Sequence, residues 1–299
     1  MRPADVARLV ALGAMWGASY LFMRVAVPHL GPVLMIELRV LIAGVLLVAF
    51  LYASGRRAGW ALHWRSWLAV GTIGTAVPFL LIAQAVRTID ASTAAILNAL
   101  VPLFATIVAA LWIREPITPP KAAGILLSIV GTAVLVGWTP APMSAKELLA
   151  ASMSVAATLL YGYNIVFSKV RLREATPMAT SAATLLFAAL VLAPFTPLDR
   201  DLAAVPTAAW AALGGLAIVS TTVAFIFYYR LIADIGPVKA STVTLLVPVF
   251  GMLWGVLFLG EPLTPGRLAG CAIILFGCAL ILGLVKMAPS AAGTTTRPR

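Results

Sequence analysis

The chain has 299 residues, of which 62% are hydrophobic and 10% charged, and its formal charge is +11. An ordinary globular domain carries about 25% charged residues, so a water-soluble fold of this composition would expose too much apolar surface. The basic residues lie between hydrophobic runs and not in one patch, which argues against a nucleic-acid surface and leaves lipid as the solvent of the fold.

In chain order, apolar runs long enough to cross roughly 30 Å of hydrocarbon predict helices over 6–27, 33–52, 66–86, 92–113 and 119–137, then 147–168, 177–194, 207–230, 238–258 and 265–285. The first run follows Met1-Arg2-Pro3 and resembles those after it, so it reads as a retained helix and not a cleaved signal. Short connections rich in Pro, Gly or charge leave no room for a soluble domain. Cys271 and Cys278 fall in the last run, roughly 10 Å apart along a helix, too far for a disulfide. They read as small packing residues. Residues 287–299 lack apolar content and read as a disordered tail.

With residue 1 in the cytoplasm, the inner segments hold Arg2, Arg8, Arg56, Arg57, Arg65, Arg114, Lys121, Lys169, Arg171, Arg173, Arg230, Lys239, Lys286, Arg297 and Arg299. The outer segments hold only Arg87, Lys146, Arg200 and Arg267. This bias predicts that both termini are cytoplasmic. Trp60, Trp64, Trp67, Trp112, Trp138 and Trp210 sit at predicted helix ends, where amphipathic rings favour the headgroup level.

The sequence repeats itself. Glu115-Pro116-Ile117-Thr118-Pro119 recurs as Glu261-Pro262-Leu263-Thr264-Pro265, and the same shift pairs Pro102 with Pro248, Gly124 with Gly270, Gly131 with Gly277 and Thr75 with Thr221. A shift one residue shorter pairs Trp16-Gly17 with Tyr161-Gly162, Phe22 with Phe167 and Arg24 with Lys169. Residues 1–138 and 139–286 therefore read as two five-helix repeats of an all-α integral membrane fold of about ten transmembrane helices. Because five is odd, the second copy enters the membrane from the opposite side. Inverted repeats of this kind are the common frame of alternating-access transporters.

Thr118 and Thr264 sit at N-cap positions, with Pro119 and Pro265 in the first turn, which makes the repeated motif a helix start. Glu115 and Glu261 lie on opposite membrane faces and cannot form one carboxylate pair. The glycine pairs of helices 5 and 10, seven residues apart, mark close helix packing. Pro102 and Pro248 fall in mid-helix and are candidate hinges.

Glu37 and Arg39 are charges within a span, where the default expectation is function. Glu37 is the candidate proton-coupling carboxylate, with a structural polar network of Glu37 and Arg39 as the alternative, and Arg39 lies close enough to the outer end to snorkel. The candidate solute-binding residues are Trp16, Ser19, Asn98, Tyr161, Asn164, Thr221 and Thr244, polar or aromatic side chains that belong toward protein or water and not lipid. Trp16 aligns with Tyr161, Ser19 with Asn164 and Asn98 with Thr244. On this reading the cavity carries no charge. The alternative is that these groups only hydrogen-bond helix to helix.

The ten helices, the duplication, Trp16-Gly17-Ala18-Ser19, and the repeated Glu-Pro-x-Thr-Pro with its following glycines resemble the EamA-type branch of the drug/metabolite transporter superfamily over residues 6 to 286. The resemblance implies a multi-pass protein of a bacterial inner membrane, an exporter of amino acids or related metabolites, with a central cavity and with helices 5 and 10 packed outside it. Tyr161 in place of Trp16, and an uncharged helix 7, depart from strict symmetry. A flippase for a lipid-linked sugar is the rival within the same fold. An intramembrane enzyme has less support: His29 and His63 lie in connections, no nucleophile has an evident base, and no metal or cofactor is expected. No phosphate-binding glycine loop is present to suggest ATP-driven transport. Expected partners are a small-molecule metabolite and membrane lipid, with no nucleic acid; a homo-oligomer is compatible with the sequence.

Overall fold

The computed structural model describes residues 2–55, 60–138, 142–197 and 201–285. The predicted tail, and Arg56, Arg57, Arg200, Lys286, Arg297 and Arg299 of the charge argument, lie outside the described residues. Helix α1 spans Pro3–Leu30 and α2 Pro32–Ala53; α3 comprises Trp60–Gly71, a π-helical stretch Thr72–Ala76, and Val77–Ala85. Helix α4 comprises Ala91–Asn98 and Val101–Ile113, and α5 spans Pro119–Gly137. The second set is α6 (Ala145–Arg171), α7 (Pro177–Leu192), α8 (Thr207–Gly214, a π-helical stretch Gly215–Val223, and Ala224–Ile235), α9 (Pro237–Ala240 and Val243–Leu259) and α10 (Pro265–Ile281). Eight of these rods are long and apolar enough to cross a membrane, and Val243–Leu259 and Pro265–Ile281 are shorter apolar helices. The described residues contain no strand.

Proline opens many of the helices. Pro32, Pro119, Pro177 and Pro265 lie at first-turn positions, where the missing N–H costs nothing. Thr264 caps α10 by accepting from Arg267 N at 3.3 Å, as the motif predicts. Thr118 makes no equivalent side-chain bond, so the two copies already differ at this position.

Polar contacts sort the connections onto two faces. Arg8 meets Asp234, and Lys169 meets Glu115 at 3.4 Å, which places the start of α1, the α4–α5 connection and the ends of α6 and α8 on one face. On the other face Thr196 donates to Glu37, Arg24 to the Val86 carbonyl, and Arg267 pairs with Asp90. The rods therefore alternate in direction along the chain.

Helix contacts repeat with the halves exchanged. A Cβ on Gly17 of α1 would lie 2.8 Å from the backbone of Gly251 in α9, and a Cβ on Gly162 of α6 would lie 2.6 Å from the backbone of Ala105 in α4. The two sites are the same contact one repeat apart. Helix α2 packs against its own counterpart α7, and α5 against α10. At the last interface the backbones nearly touch, since a Cβ on Gly277 would sit 2.7 Å from the Gly124 carbonyl oxygen. Cys278, free and buried, donates to the Ala99 carbonyl at 2.9 Å, so its thiol holds α10 to α4.

Two sequence expectations need correction in detail. Trp67 does not lie at the headgroup level; it is fully buried, edge-on to His63 at 5.5 Å. The two hinge prolines are not equivalent. Pro102 sits in the first turn after a break in α4, where Ala99 and Leu100 bond back to Ile96 and Leu97 in tight turns. Pro248 lies inside continuous helix, and the break in α9 falls earlier, at Ser241 and Thr242. The sequence missed the π-helical stretches of α3 and α8 altogether. These stand at corresponding places in the two repeats and reset the helical register, so that the Thr221 and Thr222 hydroxyls reach carbonyls five residues back, at 2.7 and 2.9 Å.

Candidate functional site

A cavity of about 530 Å³ lies between the halves, within the range of small-molecule sites. Its wall brings together Trp16, Ser19, Asn98, Tyr161, Asn164 and Thr244, from α1, α4, α6 and α9. These are the three pairs that the repeat aligns. Trp16 packs against Tyr228 at 5.3 Å and edge-on to Phe225 at 6.3 Å, and Tyr161 lies edge-on to Phe79 at 6.3 Å. Tyr229, another wall residue, donates to Ser181. The Asn98 side-chain oxygen is buried without a hydrogen-bond partner.

Thr221 is not on the wall. It is buried behind it, accepting from Arg39 Nε at 3.0 Å while its own hydroxyl donates to the Leu216 carbonyl. Its neighbour Ser220 takes the wall position and ties α8 to α1 through a 2.6 Å bond to the Met15 carbonyl. Glu37 is not on the wall either; it accepts from Thr196 at the opposite face.

The expectation of an uncharged cavity is wrong because of Arg39. Its side chain is 5% exposed and does not snorkel. The guanidinium turns inward, 4.0 Å above the Phe79 ring, held by Thr221 on one edge and facing Met23 Sδ at 3.9 Å. A cation over an aromatic face, with its polar edge bonded, avoids part of the cost of burial. Among the described residues no Asp or Glu stands on the wall. The sequence did carry a signal, a charge inside a span, but its direction could not be read without knowing that α8 presents Thr221 opposite it.

The cavity is asymmetric from end to end. On the face of the first residues its wall continues to Leu172, Ala175 and Pro177, in and beside the α6–α7 connection. Among the described residues no connection of the opposite face contributes to it. There the Glu261 carboxylate, 7% exposed, accepts from the amides of Ala91 at 2.7 Å and Ser92 at 2.9 Å and from the Ser92 hydroxyl. It thus satisfies the open N-terminus of α4 from the other half of the molecule. Glu115, its counterpart, makes no such cap; it meets Lys121 at 2.8 Å and Lys169 at 3.4 Å.

A ten-rod bundle of alternating direction around a polar and aromatic cavity has the construction of a membrane carrier. The model of the EamA-like transporter family matches residues 6–137 and again 148–283, and the chain belongs to that family. It is 26% identical over 272 residues to an uncharacterized transporter of Archaeoglobus fulgidus, covering 89% of this chain and 94% of that protein. It is likewise 26% identical to the uncharacterized inner membrane transporter YedA of Escherichia coli K12, covering 91% of this chain and 89% of the relative. A probable terminal-alkyne amino-acid exporter of Streptantibioticus cattleyicolor is 26% identical over 64% of each chain. One solved crystal structure superposes with a TM-score of 0.65 at 20% identity, covering 94% of this chain and 96% of that one, a likeness of fold alone. The protein is a membrane transporter and not an enzyme.

Proposed function

We infer that the protein is a secondary carrier that exports amino acids or related small metabolites by alternating access across a bacterial inner membrane, with both termini cytoplasmic and the repeats of opposite orientation. The observation that carries this reading is the cavity lined by matched residues of both halves and extended toward one face, with no connection of the opposite face among its described wall residues. Under the proposed topology the cavity extends toward the cytoplasm, the side from which an exporter loads. One relative's name, that of an amino-acid exporter, agrees with the solute class. The flippase reading has less support, because the cavity wall is built from inward helix faces and its extension runs toward a connection.

The test is flux into and out of liposomes holding the purified protein, across a panel of amino acids and amphiphilic cations. Movement of an amino acid down an imposed gradient supports the carrier. Transbilayer lipid movement without solute flux would replace it with the flippase.

A further inference from the structure

We propose that Arg39 is the anchor for a carboxylate, so that the solute is a monocarboxylate with an apolar or aromatic body and a hydrogen-bond donor beside the carboxylate, and amines lacking that carboxylate are rejected. This deepens the carrier reading and rests on it.

Among the described residues Arg39 is the one charged residue on the cavity wall. Among those residues no carboxylate pairs with it, and the titratable side chains that act on it are the phenols of Tyr161 and Tyr20. A fixed cation in a low-dielectric cavity without a counter-charge is complementary to an anion and repels a cation. Thr221 occupies Nε and Phe79 covers one face, which fixes the plane of the guanidinium. The remaining edge, at the two terminal nitrogens, has only the weak acceptor Met23 Sδ at 3.9 Å. Two parallel N–H donors in a rigid plane match the two oxygens of a carboxylate. One guanidinium, with no lysine or second arginine among the described wall residues, balances a monoanion and leaves a phosphate dianion short of charge.

Arg39 stands two turns into α2 from the face opposite the α6–α7 connection, so the acid group is held at the end of the cavity away from that connection. The body of the solute then lies between Trp16 and Tyr161, and the unpartnered Asn98 side-chain oxygen is the acceptor for an N–H or O–H of that solute.

The experiment uses four matched probes on the full chain in detergent: phenylalanine, 3-phenylpropionate, phenylalaninamide and phenethylamine. Affinity is read from the concentration dependence of ligand stabilisation against thermal unfolding. In the wild type the two carboxylates should bind at least about tenfold more tightly than the amide and the amine. Arg39→Gln should bring all four within about threefold, and Arg39→Lys, which keeps the charge and loses the fork, should fall between. A purely structural Arg39 would weaken all four alike or none. The assignment is overturned if no carboxylate binds the folded wild type, if the wild type does not distinguish carboxylate from amine, or if the preference survives in folded Arg39→Gln. Counterflow of labelled phenylalanine in liposomes separates the two readings. Preference without flux sinks the carrier and keeps the anchor, whereas flux without preference sinks the anchor alone.

Discussion

Glu115 and Glu261 stand in the same five-residue motif, and removing each should have very different effects. Glu261→Ala deletes three hydrogen bonds to a buried carboxylate and leaves the amides of Ala91 and Ser92 without partners at the start of α4. Bonds to charged groups contribute about 1.5–3 kcal/mol each, and orphaned buried donors add to the loss. Allowing for relaxation of the connection, the cost should be about 3–5 kcal/mol. Ser92→Ala removes one of the bonds to the charged carboxylate and should cost about 1.5–3 kcal/mol. Because both changes touch one network, the double mutant should cost less than the sum by about 1–2 kcal/mol. Glu115→Ala breaks only solvent-facing pairs with lysines and should cost no more than about 1 kcal/mol. Reversible unfolding in mixed micelles of rising SDS content measures all four variants. Equal destabilisation by Glu115→Ala and Glu261→Ala, or a Glu261→Ala loss under about 1 kcal/mol, would refute the argument that the clasp holds the start of α4.

The remaining expectations concern the wall, the packing, the charge at the open face and the topology. Asn98→Ala and Asn164→Ala, if well expressed, should each lower amino-acid flux several-fold; wild-type rate and apparent affinity in both would mean that these amides merely bond helix to helix. Gly277→Leu places a side chain where the Gly124 carbonyl lies and should abolish folded yield, read as loss of the monodisperse peak in detergent. The Glu115 carboxyl is held below the usual carboxylate range, first by the hydrogen bond from Lys121 and then by the charges of Lys121 and Lys169. A lowered folded-state value means that this contribution is present at neutral pH and lost as the pH falls through it. Lys121→Ala should therefore raise the carboxyl midpoint seen by carbon NMR toward about 4.3. Cysteines at Ser54 and Ser144, in a background without Cys271 and Cys278, should label from opposite sides of a vesicle, and labelling from one side would remove the inverted orientation.

The rods were legible because lipid imposes a simple rule: every span must be long, apolar and helical. Hydropathy therefore found the ten rods of the described residues, with ends displaced by up to six residues at Trp60, Ile235 and Ile281. The matched wall residues were legible because duplication reveals itself in sequence, and a polar side chain repeated at span depth has few places to go. What stayed hidden depends on neighbours from the other half. Thr221 and Ser220 are adjacent and equally polar, and only the π register of α8 decides that Ser220 meets the cavity while Thr221 turns to Arg39. Arg39 and Glu37 sit two residues apart, yet one enters the site and the other meets Thr196, since α2 faces α8 on one side and the end of α7 on the other. Glu261 looked like part of a helix start because its partners, Ala91 and Ser92, lie 170 and 169 residues away.

The clasp at Ala91 and Ser92 also carries a bias. One repeat later the positions of Ala91 and Ser92 hold Pro237 and Val238. Proline has no N–H to give and valine no hydroxyl, so two of the three donors that Glu261 meets have no counterpart there, and Glu115 meets Lys121 and Lys169 instead. The two repeats are thus unequally equipped, by the covalent sequence itself, to cap a helix start with the motif glutamate. Under the alternating-access reading proposed above, the arrangement that keeps the Glu261 clasp is then the favoured one in the absence of solute or gradient.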